Sequence, residues 1–369
     1  MNALETCPEC GVPKIITSEN SWLDNGDIVQ SRNNESRMIF IETENLDPLF
    51  KGIGEIIGLN IDHMVITAGR RAIRGYLRSF VPKEVREKIR AGELDYEPID
   101  AAFRDLGRLN GTGSYERVDM HYERDEHDYD TVSISEPHSV SLTVSAHVGA
   151  IEILTGVDQG YTYEEKSPDL YHITAFPSPH PGELKERLWF QPHEHEDGDI
   201  ELERCSTCGG PQLLSFYQWY PERGIITNRN TRRRMAMQGD VLLDPVFQEL
   251  EEELGEVVPR AVVEAQRRFT TSGFYTLEDI TDEGDFRAQL ALRGLGNLKE
   301  LSMKREGMHM RLENAALPLI IVGIAQGFFE LGFGIDSTKV DWELSEDGSL
   351  EAEVKPWHEA EVKTAEKTK

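Results

Sequence analysis

Four cysteines, and no others, stand in two pairs of one form: Cys7-Pro8-Glu9-Cys10-Gly11 and Cys205-Ser206-Thr207-Cys208-Gly209. Thiolates separated by two residues can reach one metal ion, and a glycine that follows can take positive φ, so that backbone N–H groups turn towards sulfur. Neither pair has a second C-x-x-C a short distance on, so each supplies half of a tetrahedral site. The reading adopted is one structural zinc shared by Cys7, Cys10, Cys205 and Cys208. Iron in the same cage or an iron–sulfur cluster, a thioredoxin-like redox pair, and free thiols are the alternatives. No βαβ pattern surrounds either pair, and glycine rather than histidine follows each second cysteine, which excludes covalent haem attachment of the C-x-x-C-H kind.

What must position these cysteines is a longer pattern stated twice. Leu46-Asp47-Pro48-Leu49-Phe50 returns as Leu243-Asp244-Pro245-Val246-Phe247, and Arg37-Met38 returns as Arg234-Met235. Gly58 returns as Gly255, and Ala68-Gly69-Arg70-Arg71 returns as Ala265-Gln266-Arg267-Arg268. The offset is 197 residues from Arg37 onward and 198 at the cysteines. A period this long means two duplicated domains rather than a solenoid. Pseudo-twofold packing of the copies would bring the two knuckles together and complete the metal site.

Each copy opens with a small β-rich head, residues 1–45 and 204–242. Strands are predicted at 14–17 and 28–30 around the turn Asp24-Asn25-Gly26, and at 212–220 and 225–227 around Pro221-Glu222-Arg223-Gly224. Helices follow. Leu49, Phe50, Ile53, Ile56 and Ile57 fall at helical spacing between an Asp47-Pro48 start and a Gly58 stop. A second helix is predicted over 62–80, and the later copy repeats both over 244–254 and 259–269. Each copy is then expected to form a strand (139–145, 309–312), a glycine-punctuated apolar helix (149–160, 317–332) and closing strands (171–175, 339–344, 350–354). In that reading Gln159-Gly160 matches Gln326-Gly327. The first copy has the longer middle, and its charged run from Tyr122 to Asp130 reads as a surface loop. Domains at 46–176 and 243–356 result, with a linker over 177–203 and a polar tail over 357–369.

A net charge of −28 makes nucleic acid and anionic lipid poor partners. The start, Met1-Asn2-Ala3-Leu4-Glu5, has neither a basic region nor an apolar run, and the cysteine usage suits a reducing compartment, so a cytoplasmic location is expected. The most apolar stretch, 315–333, is broken by Pro318, Gln326 and Glu330 and reads as a buried helix rather than a membrane span.

Other chemistry-bearing residues have quieter readings. Arg70, Arg74 and Arg78 share a helix face that could hold a carboxylate or phosphate, but a solvated face paired with acids is the preferred reading. Arg232-Arg233-Arg234 has the same ambiguity. His193 and His195, among Glu194, Glu196 and Asp197, suit a hydrophilic linker better than a metal tract. His63, His147 and His309 read as hydrogen-bonded structural histidines. No phosphate loop, G-x-S-x-G elbow or H-E-x-x-H helix is present.

The sharper version of the repeated domain holds Leu312-Glu313-Asn314-Ala315, Gly323, Gln326-Gly327-Phe328-Phe329-Glu330-Leu331-Gly332 and Val340-Asp341-Trp342-Glu343. This resembles the 4-vinyl reductase domain family, which is related to the haem–nitric-oxide-binding domains. The resemblance covers most of each copy after its knuckle and implies an α/β (α+β) fold with a pocket between helices and sheet for a hydrophobic or aromatic small molecule. Members of that family are linked to bacteriochlorophyll 4-vinyl reduction and to the sensor domains of aromatic-responsive regulators. Typical members carry zinc-ligand cysteines near the closing helix and strands, whereas 149–164 and 317–342 contain none here. No ATPase or DNA-binding segment accompanies the domains.

The expected function is therefore ligand binding or an accessory role, with the pocket in the second copy at Asn314, Phe328, Phe329, Phe333 and Trp342. The first copy, with Tyr161 and Tyr163 in its matching helix, is expected to contact a protein partner. The alternatives are a reductase-type enzyme on a vinyl or aromatic substrate, which needs an external electron donor, and a scaffold within a larger complex.

Overall fold

The structure is a computed structural model that describes residues 4–32, 36–78, 80–180, 197–275 and 283–357. The centre of the expected linker, with His193 and His195, and the tail from 358 lie outside the described residues. Among the described residues no helix is long and apolar enough to cross a membrane.

The first half runs α1 (Lys14–Glu19), β1 (Asn20–Trp22), β2 (Ile28–Gln30), β3 (Arg37–Glu42), α2 (Leu46–Ile57), α3 (Asp62–Arg78), α4 (Lys83–Ala91), α5 (Glu97–Leu109), β4 (Ser114–His121), β5 (Tyr129–Ser135), α6 (Val140–Thr155), β6 (Gln159–Ser167) and β7 (Leu170–Pro177). The second runs β8 (Tyr217–Tyr220), β9 (Ile225–Asn228), β10 (Arg234–Gly239), α7 (Asp244–Leu254), α8 (Val257–Phe269), α9 (Glu283–Leu292), β11 (Asn297–Lys304), β12 (Gly307–Glu313), α10 (Pro318–Phe333), β13 (Thr338–Leu344) and β14 (Leu350–Pro356).

The two heads merge into one six-stranded sheet of order β1-β2-β3-β10-β9-β8. β3 and β10 meet antiparallel at its centre, with Phe40 opposite Met237, Met38 opposite Gly239 and Glu42 opposite Met235. Because side chains alternate along a strand, one face carries Met38, Phe40, Met235 and Met237 into the core that also holds three of the cysteines. The other face carries Ile39 and Ile41 towards the helices. Each half then closes with its own antiparallel sheet, of order β4-β5-β7-β6 and β11-β12-β14-β13.

The helices exchange partners between halves. α2 packs on α8, so that Leu46, Leu49, Phe50 and Ile53 share a core with Val258, Val262 and Phe329. α7 packs in turn on α3, where Glu249 pairs with the buried Arg71.

α6 and α10 are buried almost all round. Each starts on a carboxylate from the helix pair before it. Asp47 accepts from Ser139 Oγ at 2.6 Å and from Val140 N at 3.2 Å, and Asp244 accepts from Leu317 N at 3.2 Å. Glycines let these helices cross the preceding ones closely: a Cβ on Gly323 would lie 2.6 Å from Cβ of Gln266, and one on Gly149 would lie 2.9 Å from the Arg70 carbonyl oxygen.

Several expectations are corrected. Residues 212–216 form a short 3₁₀ turn, and the strand expected over 212–220 is only Tyr217–Tyr220. Residues 14–17 belong to helix α1, where the Thr17 and Ser18 hydroxyls bond back to the carbonyls of Lys14 and Ile15. Residues 139–145 open helix α6: a helix buried on every side has no polar face, and its Ser/Val/Leu/Thr alternation imitates a strand. The first-half helix accordingly ends at Thr155, and Gln159, Gly160, Tyr161 and Tyr163 lie on strand β6. The Gln159-Gly160 match to Gln326-Gly327 therefore lapses. Glu152 and Glu330 instead hold the thirteenth position of 16-residue helices. Within the charged run, Tyr129 and Asp130 start β5 and only the residues before them form a loop.

Candidate functional site

Each cysteine pair sits on a tight turn with the same hydrogen bonds. Cys7 N bonds to Val12 O and Gly11 N to Cys7 O, at 2.8 and 2.9 Å; Cys205 N bonds to Gly210 O and Gly209 N to Cys205 O, also at 2.8 and 2.9 Å. Gly11 and Gly209 take φ of 75° and 74°, which explains the glycine after each pair. The sheet brings the turns face to face. Sγ of Cys7 lies 3.7 Å from that of Cys205, and Sγ of Cys10 lies 3.6 Å from that of Cys208. All four sulfurs fall within 4.8 Å of one another, and no disulfide joins them.

That spacing fits a mononuclear metal. A regular tetrahedron with metal–sulfur bonds of about 2.3 Å has sulfur–sulfur edges of about 3.8 Å, whereas a disulfide needs about 2.05 Å. The amide of Cys10 points at Cys7 and pulls its thiol down to about 7. The amide of Cys208 pulls the same way on Cys205, where burial and the neighbouring thiols outweigh it. Burial pushes the Cys10 thiol up. A cation among the four sulfurs would stabilise all of them as thiolates. Glu9 straps the turns together by accepting from the hydroxyls of Ser206 at 2.7 Å and Thr207 at 2.8 Å, which hold its carboxylate at about 2.

Behind the sheet, arginines reach across reciprocally. Arg37 on β3 pairs with buried Asp27 at 2.8 Å and donates to the carbonyls of Gly294 and Asn314 in the second half. Arg234 on β10 donates to the carbonyl of Glu136 in the first. Asn314 and Glu136 both take positive φ, 50° and 52°, a conformation Asn tolerates best among non-glycine residues. Asn314 thus belongs to this contact and also donates to Asn25 O at 3.3 Å.

The other residues expected to form a pocket pack as core. Phe329 is fully buried, and Phe328 is buried edge-on against Tyr275 and Phe286. Phe333 packs on Phe329, and half-buried Trp342 lies beneath Arg260. The arginines of α3 are paired, as expected, but Arg70 and Arg71 are buried rather than solvated, with Glu152 at 3.6 Å and with Glu249. Arg233 stacks on Phe274 and Tyr275. His63 bonds to Tyr161 at 2.7 Å, and His309 lies 3.7 Å from Glu300.

A cavity of about 140 Å³ opens in the first half, between α3, α5, α6 and strand β10 of the central sheet. Ile73 and Leu77, Phe103 and Leu106, and Leu142 and Ala146 form its apolar walls. Thr112, Tyr115, His138, His147 and Gln238 supply polar groups. Each histidine directs one nitrogen at a backbone carbonyl: His138 Nδ1 lies 3.2 Å from Thr112 O, and His147 Nε2 lies 3.2 Å from Asp130 O. A carbonyl only accepts, so those nitrogens carry the hydrogens and the opposite ring nitrogens are acceptors. Burial keeps both rings neutral, lowering His147 and bringing His138 down to about 4, with Arg234 adding to the latter. Asp130 is itself held by Tyr96 and Arg117, each at 2.8 Å. His147 was legible in sequence only as a structural histidine, and nothing in the local pattern singled out His138 or Gln238.

Comparison with family models, with curated proteins and with solved structures finds no match for this chain.

Proposed function

We propose that the chain is a tandem duplication of one α+β ligand-binding unit of the 4-vinyl reductase type, fused into a pseudo-dimer and clasped by one structural zinc. Its binding cavity lies in the first half. Several observations support the duplication. Phe40 and Met237, which face each other at the centre of the sheet, stand at the 197-residue offset of the repeated motifs. The two outer sheets share one strand order. Arg70–Glu152 and Arg267–Glu330 pair at corresponding positions.

The cavity is the observation that carries the binding role. A dry engineered cavity of about 150 Å³ accepts benzene, so a space of about 140 Å³ suits a single aromatic ring or its equal. Apolar walls with a few convergent polar groups are the usual make-up of a small-molecule site. Zinc is the metal proposed because four thiolates in a closed tetrahedron form a typical structural zinc site. Iron would use the same donors.

Metal analysis with native mass spectrometry on one sample tests the clasp. One zinc per chain is expected, lost in both Cys7→Ser and Cys205→Ser; two metals per chain, or none, would sink it. For the cavity, toluene is expected to protect the protein thermally and to shift NMR signals of α5 and α6. Absence of any response from single-ring compounds would remove the binding role.

A further inference from the structure

We infer that the cavity selects a small, neutral, planar ring carrying an N–H beside a C=O, an amide-type edge of the kind a lactam presents, and that Gln238 reads this edge. The inference rests on the binding role proposed for the cavity.

Gln238 is 3% exposed and lines the cavity. Its amide comes close enough to the His138 ring to raise that ring's pKa a little against the lowering by burial, but without the geometry of a closed hydrogen bond at either amide atom. The sheet explains the placement. Gln238 stands opposite Ile39 in the β3–β10 ladder, so it shares the face that looks at the helices rather than the face of Met237 and Phe40. A strand of the second half thereby delivers a carboxamide into the interior of the first.

A carboxamide offers a donor and an acceptor in one plane. Its full complement is another donor–acceptor edge, paired through two parallel hydrogen bonds as Gln pairs with the edge of adenine. A ring with no donor would leave Gln238 Oε1 unpaired, and a phenol would have to meet both amide atoms through one oxygen, whereas a lactam presents a separate donor and acceptor. The charged groups near the opposite end are committed to one another: Asp100 accepts from Arg104 and Arg117, and Arg104 also bonds to Glu97 at 3.0 Å. Among the described residues that line the cavity, the charged side chains Asp100 and Arg104 are thus already paired, which favours a neutral ligand.

The test compares 2-pyridone, phenol and toluene on the full chain with its metal retained, by NMR titration and thermal shift. 2-Pyridone is expected to bind at least about tenfold more tightly than toluene. Gln238→Leu should weaken 2-pyridone by about 10- to 100-fold and leave toluene within about threefold. Gln238→Met is the second variant if the first does not fold. Equal affinities for the three probes, tightest binding of phenol, or unchanged 2-pyridone affinity in the variants each overturn the amide-edge inference while the cavity keeps its binding role. Failure of all three probes to bind removes that role and the inference with it.

Discussion

The interiors of the two halves use the same elements and fill them differently. In the second half, α10 lies against α8 with Gly323 tucked under Gln266, whose oxygen accepts from Asn45 at 2.6 Å. Ile41 enters from the central sheet, Ala316 and Ala325 stand at and before α10, and Phe328 and Phe329 complete a solid core. In the first half, Gly69 and Ser145 meet where Gln266 and Gly323 do, His138 and His147 replace the two alanines, and Gln238 replaces Ile41. One half spends its volume on packing, while the other leaves a polar-tipped space. Under the proposed duplication, this difference would divide the labour of one frame: the packed half and the sheet would hold the shape, and the hollow half would be free to bind.

Truncation is the harshest way to break this comparison. Phe329→Ala, at a fully buried site, is expected to cost about 3–5 kcal/mol in chemical denaturation. Phe103→Ala, on the cavity wall, should cost about 1 kcal/mol, since the space beside it already exists. Equal losses would mean that the cavity is not a feature of the protein in solution.

Exchanging the residues that face the two interiors is a sharper probe. Ile41→Gln should lose about 3 kcal/mol or more, because it removes buried apolar surface and strands an amide. Gln238→Leu should gain about 1–3 kcal/mol without ligand, because it removes an amide with no closed hydrogen bond. A loss in Gln238→Leu would show that its amide is satisfied and that the first half is not organised for a ligand.

The four-cysteine cluster was legible because its information is local: spacing, a glycine, and the absence of any other cysteine. That the two heads meet was expected from the repeat, but the central strands β3 and β10 through which they join were not read from Arg37-Met38 and Arg234-Met235. α6 was not legible either, because a helix buried on all sides carries no amphipathic period and its caps, Asp47 and Ser139, are 92 residues apart in sequence. The cavity was hidden for a related reason. Gly69, His138 and Gln238 come from three separated elements, one of them in the other half, and the aromatic residues that drew attention to the second half are the ones that fill its core.

The last comparison is a difference of sign in how the halves respond to pH. His138 is held at about 4 by burial, below its ordinary 6.5. Between those values the unfolded chain takes up a proton that the folded chain refuses, so stability falls as pH falls, by at most about 1.4 kcal/mol per pH unit. His138→Asn keeps a donor for the Thr112 carbonyl and should remove this slope. Asp244, at the start of α10, is pushed by burial up to about 7 from 3.8. There the folded chain keeps a proton that the unfolded chain releases, so stability falls as pH rises across that range. Asp244→Asn should flatten it while still accepting from Leu317 N. Acid also strips metal from thiolates, but it does so in parent and variants alike. The differences between their stability curves therefore isolate the two carriers: one should grow towards acid and the other towards neutrality. Curves that shift in the same direction would contradict the assignment of a neutral buried imidazole to the hollow half.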